Sequence, residues 1–124
     1  MPTDKLPAGA SADELYNQAR TVWTDAIELD LFDDKASIRR VAGILERAVR
    51  VDPAHTAALG MLVDLLAALT AYAEAEEYAR RVVGLEPGVA EHARRLELLE
   101  LPNGPDKREA IMAHLTRRWL RSEW

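Results

Sequence analysis

Two short segments decide how this chain folds: Arg47-Ala48-Val49-Arg50-Val51-Asp52-Pro53 and Arg81-Val82-Val83-Gly84-Leu85-Glu86-Pro87. They stand at an offset of 34 residues, share Arg, Val and Pro at matching places, and each carries an acid immediately before its proline. Proline disfavours helical geometry in the residue before it, so each segment reads as the end of a helix. Upstream of Pro53, Ile38, Val41, Leu45, Ala48 and Val49 share one face, which predicts a helix over about 36–51. Upstream of Pro87, Tyr72, Ala75, Tyr78, Ala79, Val82 and Val83 point inward, with Glu74, Glu76, Glu77, Arg80 and Arg81 outward, which predicts a helix over about 72–85. Between them, about 54–69 is apolar nearly all round and has to be covered on several sides.

The pattern extends in both directions. Ser11 and Glu14 form a capping-box pair ahead of Leu15, Ala19, Val22, Trp23, Ala26 and Ile27, giving a first helix over about 12–29 and an acidic turn after it. Beyond Pro87-Gly88, a helix over about 89–101 carries Ala93, Leu96, Leu98, Leu99 and Leu101. Pro102-Asn103-Gly104-Pro105 breaks the chain, and a helix over about 106–122 stacks Ile111, Met112, Leu115 and Trp119. The expectation is an all-α fold of about six helices in three stacked antiparallel pairs, about 12–53, 54–88 and 89–122. These form one domain over 11–124, behind a flexible leader at 1–10.

Composition narrows the function. The 124 residues are 48% hydrophobic and 30% charged, with 6% aromatics, a mixture that suits a globular helical domain. The absence of cysteine excludes a disulfide scaffold, a thiol nucleophile and a thiolate zinc site. A net charge of −5 argues against a nucleic-acid partner, which would need phosphates neutralised. Acids crowd residues 10–34, whereas Lys107, Arg108, Arg117, Arg118 and Arg121 dominate the end of the chain. Such asymmetry orients a charged partner or a second copy, or else makes two solvated faces. Residues 1–10 lack the apolar segment of a secretory signal, and Leu59–Ala73 is too short and too interrupted by Asp64 to span a bilayer. The expected address is cytoplasmic.

A 34-residue helix–turn–helix period is the mark of tetratricopeptide repeats, and the stretch from Thr56 to Val89 resembles one such unit. Leu59 stands where that family usually has Trp, Leu62 matches its leucine and Leu66 replaces its Tyr. Tyr72, Glu74 and Ala75 resemble the turn into the second helix, Ala79 and Val82 follow at the family's spacing, and Pro87 closes the unit. Val63 departs from the pattern, in a slot usually held by Gly or Ala. In the preceding unit, Val41, Leu45, Ala48 and Pro53 fit the second helix, and Trp23, Ala26 and Ile27 fit the first if the acidic turn holds about two extra residues. The resemblance covers roughly residues 12–101; the chain from about Val89 onward resembles an incomplete repeat with a capping helix.

The resemblance implies a concave groove, lined by the first helix of each pair, that binds an extended peptide. Projected onto this chain, the lining is Ala57, Gly60, Met61, Asp64 and Ala68 in the middle pair and Glu91, Arg94, Arg95 and Leu98 in the last, with Thr24, Asp25 and Glu28 from the first. Small residues there either let a peptide backbone approach or simply serve helix packing, while Asp64 in an apolar helix needs water or a partner. Met61 stands where relatives that bind chaperone tails carry a clamp asparagine, and only Arg95 resembles a clamp cation, so no chaperone-tail binding is expected.

In the last helix, Trp119, Leu120 and Trp124 among arginines suit either a membrane surface or a cap on the end of the stack, the cap being the expectation. His55, His92 and His114 have no metal-ligand spacing, and His55 reads as a surface residue at a helix start. No phosphate loop or nucleophile–base pair stands out, so neither an enzyme nor a cofactor is expected. The function expected is a protein-interaction module that binds a partner's peptide or helix. The alternative is a subunit that assembles with itself, its acidic first helix meeting the basic last helix of another copy.

Overall fold

A computed structural model describes residues 9–124; the leader expected at 1–10 lies outside these residues, apart from Gly9 and Ala10. Six helices are found among the described residues, and no strand: α1 (Ala12–Glu28), α2 (Lys35–Val51), α3 (Thr56–Ala68), α4 (Tyr72–Leu85), α5 (Ala90–Leu99) and α6 (Pro105–Leu120).

Local chemistry sets the boundaries. At the start of α1, Ser11 Oγ accepts the Glu14 N–H at 3.1 Å and the Glu14 carboxylate accepts the Ser11 N–H at 3.2 Å, which is the predicted capping box. α2 begins at Lys35 because Asp34 caps it, accepting both the N–H (2.9 Å) and the hydroxyl (2.7 Å) of Ser37. α3 begins later than its hydrophobicity suggests, because His55 is its N-cap: His55 Nδ1 accepts the Ala58 N–H at 3.1 Å. α6 takes Pro105 at its first turn, where the missing N–H costs no hydrogen bond. α1 and α3 both end by passing through left-handed residues, Asp30 (φ 57°) and Thr70 (φ 61°). The following N–H then reaches back, from Leu31 to the Ala26 carbonyl (2.7 Å) and from Ala71 to the Leu66 carbonyl (2.9 Å), closing the last turn.

Successive helices pack together, α1 on α2, α2 on α3, α3 on α4 and α4 on α5. α3 also touches α1 and α5, so α1, α3 and α5 form one layer and α2 and α4 the other. That position explains the all-round apolarity of α3, in which every residue from Ala58 to Ala68 is buried. Ala75 and Ala79 on α4 are fully buried against the core, small enough to let the helices approach closely.

α6 departs from the expected stack. It packs on α5, its predicted partner, but equally on α3, and its Trp119 ring meets Trp23 of α1 edge-on, with centroids 4.9 Å apart and planes at 77°. It crosses all three helices of the first layer instead of closing the end of the stack. Its buried residues Ile111, Leu115 and Trp119 belong to the common core.

Candidate interaction surface and the helix that covers it

The residues predicted to line a groove are brought together on the α1–α3–α5 layer, but most are not open to a ligand. Gly60, Met61, Asp64, Ala68, Arg95 and Leu98 are buried, Glu91 is half-buried, and only Ala57 and Arg94 are exposed. The expectation of an open lining is corrected on this point, because α6 lies over that layer and fills it. Thr24 is half-buried, and Asp25 and Glu28 are exposed. Thr24 and Asp25 line a shallow open hollow with Asn17, Arg20 and Thr21 on α1.

At the centre lies Asp64, 2% exposed. Its Oδ1 accepts Arg95 Nε at 2.9 Å, while its Oδ2 accepts Arg95 at 3.2 Å and Arg118 of α6 at 2.7 Å. Two guanidiniums therefore share one buried carboxylate, which answers the need for a partner that its apolar helix raised. Glu91 restores the charge balance: its Oε2 accepts His114 Nε2 at 2.8 Å and lies 3.6 Å from Arg118. Burial works to lower the Arg95 pKa, but the Asp64 charge and its hydrogen bonds outweigh burial and hold it above its ordinary value.

Arg95 extends the network to α4. Its NH1 lies 2.8 Å from His92 Nδ1, and His92 Nε2 lies 2.8 Å from Glu86 Oε1. A guanidinium can only donate, so His92 Nδ1 accepts and the ring proton sits on Nε2, donated to Glu86. That hydrogen bond, aided by Thr56, holds the Glu86 carboxyl below its usual range against a smaller opposing effect of desolvation. The same logic applies to His55: with Nδ1 accepting from Ala58, its Nε2 donates to Asp13 Oδ1 at 2.7 Å. His55 is thus a cap and a strut between α3 and α1, with its side chain only 12% exposed, not a surface residue.

Gly60 also changes meaning. A Cβ there would lie 2.9 Å from Arg95 NH1 and 3.1 Å from its Cζ. The glycine makes room for a pinned guanidinium instead of for a passing peptide. Arg94, by contrast, faces solvent and pairs with Glu97 at 3.3 Å.

Sequence reasoning singled out Asp64, Arg95 and Glu91 but missed Trp23, His92, His114 and Arg118 as their companions. The signal available was Asp64 itself, a carboxylate in an apolar helix; which distant cation meets it depends on how α6 returns. Among the described residues no group of His, Asp and Glu is arranged to hold a metal ion, and no helix is long and apolar enough to cross a membrane. No protein-family model matches the chain, and no curated protein matches it in sequence.

Proposed function

We propose that the chain is a protein-interaction module of tetratricopeptide-like type, whose α1–α3–α5 face takes up a helix or peptide of a partner protein. In this reading it catalyses no reaction and works in the cytoplasm. One observation carries it: an amphipathic helix, α6, lies across that face with Ile111, Leu115 and Trp119 buried and Arg118 on Asp64. A face that seats one helix through an apolar stripe and a buried charge has the two elements of helix-in-groove recognition, area for affinity and a polar anchor for register.

The test is to pan the full chain against a library of short amphipathic helices and map the binders by amide chemical shifts. The expected perturbations fall on α1, α3 and α5, around Trp23, Asp64 and Glu91. Perturbations confined to the outer faces of α2 and α4 would defeat the reading. Self-assembly retains one supporting observation, the exposed acids Asp25 and Glu28 on α1 opposite in sign to the exposed Arg117 and Arg121. It is weakened by Arg118, whose charge is already engaged within the chain by Asp64 and Glu91.

A further inference from the structure

The way α6 is held specifies what would replace it. α6 buries only Lys107, Ile111, Leu115 and Trp119, whereas α3 is buried from Ala58 to Ala68. It is joined to α5 by a connector, Glu100–Gly104, that contains Pro102 and is followed by Pro105; Gly104 has a φ of 151°, which side chains rarely adopt. Its underside fills the face almost completely. A void of about 10 Å³, no larger than one water, remains between Val63, Ala67, Leu98 and Leu99 below and Ile111 and Leu115 above. The face has a fixed chemistry of its own: an aromatic wall at Trp23, an apolar floor, and two carboxylates, Asp64 and Glu91, that meet the cationic or hydrogen-bonding side chains His114 and Arg118 one turn apart.

Resting on the interaction reading above, we propose that α6 is a built-in stand-in for the partner, and that the partner is an amphipathic helix presenting the same series. That series is two apolar residues four apart, a basic residue three after the second, and an aromatic next to it, as in Ile111, Leu115, Arg118 and Trp119. The charge complementarity fixes the polarity of the ligand. An acidic helix would set its carboxylates against Asp64 and Glu91 and leave Arg95 to satisfy Asp64 alone, so it is excluded. Because the tether gives α6 an effective concentration in the millimolar range, roughly, an untethered helix has to bind more tightly than α6 to displace it.

Two measurements test this. Hydrogen exchange on the wild-type chain is expected to show α6 amides opening at least about a hundredfold more readily than those of α3, as befits a locally detachable element. Equal protection of α6 and α3 would make α6 part of the indivisible core and overturn the proposal without recourse to any variant. The second measurement titrates a fluorescent peptide of residues 103–124 into the full chain carrying Trp119→Ala, which loosens the resident helix. Binding is expected, and a peptide carrying Arg118→Ala should bind roughly thirtyfold more weakly, as for loss of one member of a buried charge pair. Equal binding of the two peptides would overturn the proposal, and so would peptide binding that leaves the α6 chemical shifts unmoved. In the latter case the interaction face itself would still stand.

Discussion

Asp64 and Gly60, one turn apart on α3, show how much a single buried ion arrangement demands of its neighbours. Replacing Asp64 by Ala strips Arg95 of its carboxylate partner and leaves Arg118 only the longer contact to Glu91 at 3.6 Å, and the expected loss is about 3–5 kcal/mol, read from urea unfolding. Arg118→Ala should cost clearly less, because Asp64 keeps both of its hydrogen bonds from Arg95. Gly60 offers a sharper sign test. Glycine to alanine within a helix ordinarily stabilises by about 0.5–1 kcal/mol, and Gly43→Ala in α2, with open space around the new Cβ, is expected to do so. Gly60→Ala is expected to destabilise instead, by about 1–3 kcal/mol, since the new methyl meets a guanidinium that Asp64 and His92 hold in place. A stabilised Gly60→Ala variant would show that Arg95 is free to swing away.

At the scale of the element, the ends of the helices are where local sequence has most authority. Ser11→Ala removes one half of the capping box of α1 and is expected to cost about 1 kcal/mol in thermal or urea unfolding. Asp34, at the start of α2, has its pKa lowered first by its hydrogen bond to the Ser37 hydroxyl and then by the Ser37 N–H. A lowered folded-state pKa means the cap contributes fully above about pH 4 and is lost as the pH falls through the lowered value. The wild type should therefore lose more stability than Asp34→Asn between pH 5 and about pH 2. Thr70 carries the opposite kind of term. A β-branched residue at φ 61° is strained, so Thr70→Gly is expected to raise the stability of the chain, by roughly 1 kcal/mol, while preserving the closing hydrogen bond from Ala71 to Leu66.

On the scale of the whole molecule, the charges that matter are inside. Asp64, Arg95 and Arg118 are screened little by salt, whereas an assembly built from exposed Asp25, Glu28, Arg117 and Arg121 would dissolve in it. Sedimentation at low salt and at about 1 M NaCl is expected to give a monomer mass in both. A dimer present only at low salt would favour self-assembly over the interaction face. The placement of α6 joins the scales: a single helix, tethered by five residues, links the buried carboxylate of α3 to the aromatic ring of α1.

Most of the architecture was written in local patterns. The proline-ended segments, the capping residues and the three-to-four-residue spacing of apolar side chains specify six helices, because each of these signals acts within one turn or two of the chain. The apolarity of α3 likewise announced its central position, since a helix without a polar face has to be covered all round. The sequence also marked Asp64 as a residue in need of a partner. It did not determine that Arg95 and Arg118, 31 and 54 residues away, supply that partner together. Nor did it determine that α6 covers the α1–α3–α5 layer instead of ending the stack. An amphipathic stripe of Ile111, Leu115 and Trp119 fits either position equally well as a pattern. Only the tertiary packing, which matches Trp119 to Trp23 and Arg118 to Asp64, distinguishes a cap from a helix lying across that face.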